Sequence, residues 1–260
     1  MSKIISIHSF RGGTGKSNTI ANIAATMAIQ GKRVAIIDTD IQSPGVHIIF
    51  GLNEHKIEYS LNDYLWGRCE MKDAAYDVTH TLINRQQSST QIKGNLYLVP
   101  SSIKAGEISR IIREGYDVVR LNDGFQELIV SLNLDYLFID THPGLNEETL
   151  ISIGISHVLI IVLRPDQQDF QGTAVTVDVA RKLRVPKMLL VINKALSSLN
   201  FPDLQQQVES IYNVSVSGIL PLSEDMAELG SKDIFAVQYP EHPISQTVQK
   251  IAAQIADVAA

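Results

Sequence analysis

Short, nearly unbroken runs of apolar residues recur along the chain, at 4–7, 34–37, 96–99, 136–139, 158–163, 188–192 and 216–220. Runs of that length with little polar alternation predict strands covered on both faces, as in a parallel sheet. Between them the apolar positions change to helical spacing. Helices are predicted over 16–30, closed by Gly31, and over 121–132, 170–183 and 202–212, with a further one starting at Ala105. Alternation of strand and helix predicts a single α/β domain over 1–260: a doubly wound, mostly parallel sheet with helices on both faces. Ligands of such sheets bind beyond the carboxyl ends of the strands, so the residues that follow each strand matter most.

After the first run comes HSFRGGTGKSN, residues 8–18. An ordinary phosphate loop, G-x-x-x-x-G-K-[ST], needs glycine at position 10. This chain has Phe10 there, then Arg11 and the doubled glycine Gly12-Gly13. Glycines let backbone N–H groups turn toward phosphate oxygens, and a helix opening at Lys16 adds its partial positive charge. Lys16 is placed to reach the β- and γ-phosphates and Ser17 to bind Mg²⁺. Two more strand tips carry acids: Asp38 and Asp40 in VAIIDTD, and Asp140 in YLFIDTHPG. Carboxylates beside a phosphate loop hold Mg²⁺ through its waters, and Asp40, further out, can orient or deprotonate an attacking water. A fourth tip reads VINKAL. Guanine recognition by N-K-x-D needs an acid where this chain has Leu196, so ATP is expected, with Asn193 toward the adenine edge. His142, just after Asp140, is either incidental or a sensor of the γ-phosphate.

Composition narrows the setting. The chain has 260 residues, 45% hydrophobic and 19% charged, enough for a sizeable core, with a net charge of −6 that disfavours bulk attraction to DNA or anionic membranes. Its single cysteine, Cys69, excludes a disulfide framework and a cysteine metal cluster, and a reducing cytoplasm is expected. No apolar run is long enough to span a bilayer, and the glycine loop begins too early to leave room for a signal peptide. The last predicted helix carries Ile244, Val248, Ile251, Ile255 and Val258 on one stripe, with Lys250 the only cation opposite. A membrane-surface helix wants several, so this one is expected to dock on the core. Arg181, Lys182, Arg184 and Lys187 form a basic cluster at a helix end. It suits the helix dipole, a solvated surface or non-specific DNA binding. Arg110 and Arg113 are expected to be plain surface, Trp66 and Tyr64 to be packing. The segment RPDQQDFQG, 164–172, follows a strand at the ligand edge.

With these residues the chain resembles the ParA/MinD family of deviant Walker ATPases. The resemblance is carried by RGGTGKS (11–17), IIDTDIQSPG (36–45), SLNDYLWGRCEMKDAA (60–75), NLYLVPSS (95–102), FIDTHPG (138–144), VINK (191–194) and GILPLSEDMAEL (218–229). It implies Mg-ATP binding, a homodimer with two nucleotides in its interface, slow hydrolysis stimulated by a cognate adaptor protein, and a cycle that positions a cargo. By position it implies that Arg11, Gly12, Gly13, Thr14, Gly15, Lys16, Ser17 and Asn18 cradle the nucleotide, with Asn193 and Pro221 at the adenine. Lys16, Asp40 and Arg11 would serve catalysis. Ser17, Asp38, Asp40 and Asp140 would serve the metal. The family's signature lysine, which crosses to the partner's nucleotide, aligns with Arg11. Arginine keeps the charge but is bulkier and forked. Two roles stay open for it, an arginine finger in trans or a structural ion pair. Cargo classes include a DNA locus, division or pilus machinery, and a protein organelle such as the carboxysome, at the nucleoid or elsewhere in the cytoplasm. An adaptor with little hydrolysis is the alternative, as is a metabolic enzyme of the same superfamily. Iron-sulfur carriers would need more cysteine than Cys69, and related tyrosine kinases a Tyr-rich tail, absent from QKIAAQIADVAA.

Overall fold

The computed structural model describes residues 2–83 and 92–258. Its strands are β1 (Lys3–His8), β2 (Arg33–Asp38), β3 (Tyr76–Asp77), β4 (Asn95–Val99), β5 (Tyr136–Asp140), β6 (Val158–Leu163), β7 (Lys187–Ala195) and β8 (Val216–Pro221). The helices are α1 (Lys16–Ile29), α2 (Val46–Ile49), α3 (Leu61–Leu65), α4 (Ala105–Glu114), α5 (Val118–Ser131), α6 (Glu147–Gly154), α7 (Gln167–Lys182), α8 (Phe201–Tyr212), α9 (Glu224–Leu229), α10 (Phe235–Gln238) and α11 (Pro243–Val258).

All eight strands join one sheet in the order β3-β4-β2-β5-β1-β6-β7-β8. Every neighbouring pair is parallel except β3 with β4. The near-continuous apolar runs have the expected cause: every residue of β5 and β6 is buried, because both faces of the sheet are covered. On one face Ile5, Ile7, Ile36, Phe138 and Ile160 pack with α1 and α11. On the other, Ile37, Leu137 and Ile139 meet Leu121, Phe125 and Leu128 of α5, while Leu159 and Ile161 meet Val177 of α7 and Val208 of α8.

Seven strands lie where the apolar runs predict them, and β3 does not. Two residues of antiparallel edge leave no pattern to read. Helices α1 and α4 begin where predicted, whereas α5, α7 and α8 begin earlier than predicted because their caps lie upstream of the apolar periodicity. Asp117 accepts from the backbone N–H groups of Val119 and Arg120, Asp166 from those of Gln168 and Asp169, and Asn200 from that of Asp203. Helix α6, which has no predicted counterpart, is capped by Asn146 on the N–H of Thr149. The last helix docks as expected: Ile244, Val248, Ile251 and Ile255 are buried in the α1-side core. The side chain of Val258 lies outside the described residues. Among these, no helix is long and apolar enough to cross a membrane.

The sheet order reverses beside β1, which lies between β5 and β6. That switch point puts the β1–α1 loop above the tips of β2 and β5 on one side and within reach of β7 on the other.

Candidate nucleotide site

The loop between β1 and α1 is tightly held. Ser9 Oγ donates to the Arg11 carbonyl at 2.7 Å. Gly13 and Gly15 take positive φ, 76° and 97°. The end of β7 grips the loop from the side: Asn193 Nδ2 donates to the Thr14 carbonyl and Lys194 Nζ to the Gly13 carbonyl, both at 2.8 Å. Asn193 Oδ1 accepts from the N–H of Lys194 at 2.9 Å. The side chain expected at the adenine edge therefore spends an amide N–H on bracing the loop and its carbonyl on the next backbone N–H of β7. Gly15 is the matching half of that contact, since a Cβ there would overlap Asn193 Nδ2.

Lys16 opens α1 only 7% exposed. Next to it, Ser17 Oγ donates to Asp140 Oδ2 at 2.8 Å, and Asp140 Oδ1 is buried without a partner among the described residues. Burial pushes the Asp140 carboxyl up to about 6, against the pull of Lys16 and the Ser17 hydrogen bond and with a smaller push from Asp40. In the β2–β5 register Asp38 lies opposite Asp140. Burial first, then the charges of Asp140 and Asp40, raise Asp38 well above the usual carboxylate range. Its oxygens accept from the N–H groups of Asp40, Gly45 and Val46 at 3.1, 3.2 and 3.4 Å. Asp38 thus shapes the segment 40–46. Asp40 Oδ1 accepts from the Ser43 N–H at 3.3 Å and meets His142 Nδ1 at 2.6 Å.

His8, at the end of β1, is a buried group that sequence reasoning passed over. Burial, then the positive charge of Lys16 and the neighbouring His142, lowers it to about 3. The Thr141 hydroxyl donates to the Ile7 carbonyl, so at 2.8 Å it accepts from His8 Nδ1–H. Its position before an unusual loop was the only available signal.

A cavity of about 300 Å³ adjoins the loop, lined by Gly15, Asn18, Asn193, Pro221, Met226 and Ser231 among others. Asn18 donates to Ser231 Oγ at its rim, at 3.2 Å. Among the described residues, Thr14 Oγ1 is buried without a hydrogen-bond partner. Together these residues fit a nucleotide: a curled loop and helix terminus for phosphates, a cavity beside them for a base.

They also fit Mg²⁺. Among the described residues no group of three or more His, Cys, Asp or Glu forms a metal cage. Magnesium does not require one, because it keeps several waters and takes one or two protein oxygens beside phosphate oxygens. The Ser17–Asp140 pair with its unpartnered buried Oδ1 offers that arrangement.

Arg11 is 41% exposed and turned toward the N-terminus of α7. Its Nη1 donates to Gln168 Oε1 and lies 4.0 Å from Asp166 Oδ1 and 3.8 Å from Asp169 Oδ1. Asp169 is 2% exposed and carries two hydrogen bonds from the Arg164 guanidinium, at 3.0 and 3.2 Å. The segment 164–172 is therefore an ion cluster in which the single chain holds Arg11. Phe10 lies against Gly172 of α7, where any side chain would overlap its ring.

The basic cluster is elsewhere. Arg181, Lys182, Arg184 and Lys187 span the end of α7 and the start of β7, at the sheet edge opposite the phosphate loop. Arg181 donates to the Tyr212 carbonyl and pairs with Asp178 at 3.7 Å. Lys182 and Arg184 are exposed and Lys187 is half-buried. Arg110 stacks on Trp66, 3.8 Å from the ring centroid, and binds Glu114. Arg113 pairs with Glu114 as well.

Comparison with known proteins agrees with the geometry. A family model described as AAA domain matches residues 2–192. An uncharacterised ATP-binding protein of Methanocaldococcus jannaschii is 25% identical over 256 residues, 98% of this chain and 88% of that protein. The septum site-determining protein MinD of Bacillus subtilis is 24% identical over 260 residues, 98% of this chain and 89% of its own. Among solved structures, the septum site-determining protein MinD of Pyrococcus horikoshii, complexed with Mg-ADP, superposes with a TM-score of 0.79 at 22% identity, over 100% of this chain and 99% of that one. The chain therefore belongs to the AAA domain family, as a ParA/MinD-type member of it.

Proposed function

We propose that this chain is a Mg-ATP-dependent ATPase that dimerises on its nucleotide and switches between states to position a cargo, with a cognate adaptor protein stimulating a slow hydrolysis. The observation that carries the reading is the contact of Ser17 with Asp140 beneath a phosphate loop that leads to Lys16 and opens on a base-sized cavity. In it, the backbone of residues 12–17 and Lys16 hold the phosphates, and Asn18 and Pro221 line the place of the adenine. Asn193 acts through the loop it braces.

Ser17 and Asp140 hold the metal directly or through its waters. Asp38 and Asp40 support that site from the neighbouring strand, Asp38 by fixing the 40–46 backbone. Bound there, Mg²⁺ would neutralise charge on the β- and γ-phosphate oxygens. Asp40 orients the attacking water. Lys16 and, after release from α7, Arg11 stabilise the transferred negative charge. The protein works in the cytoplasm, and its basic cluster makes nucleoid DNA a candidate surface.

A second reading has one observation in its favour. Arg11 is occupied by acids of its own chain, as an adaptor that binds ATP and barely hydrolyses it would keep it. Phosphate release by the purified protein, with Mg-ATP and with and without cell extract, separates the two. Stimulated turnover that depends on Asp40 supports the ATPase; binding without turnover in either condition supports the adaptor.

A further inference from the structure

We propose that His142 is a positioning residue for hydrolysis, holding Asp40 Oδ1 so that Oδ2 is presented to the attacking water; this deepens the ATPase reading and rests on it.

The contact follows from sheet topology. Strands β2 and β5 are neighbours, with Asp38 opposite Asp140. Two residues beyond the end of each strand, past the last pairing, Asp40 and His142 meet at 2.6 Å. Among the described residues, both hydrogen bonds to the Asp40 carboxylate, from His142 and from the Ser43 N–H, land on Oδ1. A carboxylate fixed through one oxygen loses its rotational freedom and offers the other in a defined direction, which is what an oriented proton acceptor needs.

The histidine is itself held. Its carbonyl accepts from Thr149 Oγ1 at 3.4 Å, and the Thr149 N–H is bound by the Asn146 cap of α6. His142 therefore ties the Asp40 segment to the N-terminus of α6. In the step it serves, the water oxygen bonds to the γ-phosphorus as the bond from that phosphorus to the bridging oxygen breaks. The electron pair leaves with ADP, and the water proton passes to Asp40 Oδ2.

The test uses the full-length chain with Mg-ATP under single-turnover conditions, beside equilibrium binding of a fluorescent ATP analogue. His142→Ala is expected to lower the hydrolytic rate on the order of 10- to 100-fold, the scale of a reacting group displaced by about 1 Å, with nucleotide affinity within about twofold. His142→Asn, which keeps an N–H near the place of Nδ1, is expected to recover most of the rate. In an Asp40→Asn background His142→Ala is expected to add nothing. The proposal is overturned if His142→Ala turns over like the parent, if His142→Asn is as slow as His142→Ala, or if the two substitutions are additive. A parent protein that neither binds nor hydrolyses ATP overturns the ATPase reading and this one with it; a parent that hydrolyses while His142→Ala matches it overturns only this one.

Discussion

Replacing Gly15 by alanine tests how the phosphate loop is held. Gly15 has φ 97° and ψ 22°, a left-handed conformation that costs a residue with a Cβ roughly 1–2 kcal/mol. The added carbon would overlap Asn193 Nδ2, whose hydrogen bond to the Thr14 carbonyl is 2.8 Å long. Pushing Asn193 aside removes that bond, a net loss of about 1 kcal/mol, and leaves a buried carbonyl unsatisfied for about 1 more. The sum is roughly 3–4 kcal/mol, a large part of the 5–15 kcal/mol typical of a domain. At about 2–4 °C per kcal/mol for a chain of this size, the melting temperature falls by roughly 6–16 °C. Thermal unfolding followed by circular dichroism measures it. Asn193→Ala alone lacks the overlap and is expected to lose only about 1–2 kcal/mol. The double variant should then be clearly more stable than the sum of the two losses. A melting temperature for Gly15→Ala within a degree of the parent, or strictly additive losses, would refute the bracing argument.

Asp140, raised to about 6 from 3.8, takes up its proton more readily folded than unfolded. Its contribution to stability is complete below about pH 4 and is lost as pH rises through 6, about 3 kcal/mol in all at 1.36 kcal/mol per unit. The melting temperature of the ligand-free parent should therefore fall relative to Asp140→Asn between pH 4 and 7; a relative rise contradicts the assignment. Arg11→Ala should abolish ATP-dependent dimerisation or turnover, read by light scattering and phosphate release, and survival of both excludes a role in trans. For the surface cluster, ATP-loaded parent should be retarded on a DNA column at low salt, while Lys182→Glu with Arg184→Glu elutes earlier; unretarded passage of the parent excludes that surface.

Much of the fold was written in local pattern. Continuous apolar runs report strands buried on both faces, and their tips locate Lys16, Ser17, Asp38, Asp40 and Asp140. What could not be read locally is pairing across the sheet. Asp40 and His142 are 102 residues apart, and only the β2–β5 register brings them together. Arg11 and Gln168 are 157 residues apart, so the segment 164–172 showed its charges without showing what they hold. Asn193 was legible as a strand-tip residue at the ligand edge. That its amide turns to the loop depends on β7 lying two strands from β1. The upstream caps Asp117, Asp166 and Asn200 were present as residue types, but the hydrophobic period begins after them and set the predicted starts of α5, α7 and α8 too late.

Calorimetric titration of the purified chain with ATP, with and without Mg²⁺, beside Lys16→Ala, tests the central claim most directly. The account predicts one nucleotide bound per chain, binding strengthened by the metal, and affinity at least about 100-fold weaker in Lys16→Ala, which forfeits a charge-assisted contact of roughly 3 kcal/mol, while the variant still folds. A parent that takes up no ATP in the presence of Mg²⁺, or a Lys16→Ala variant that binds it equally well, would contradict it.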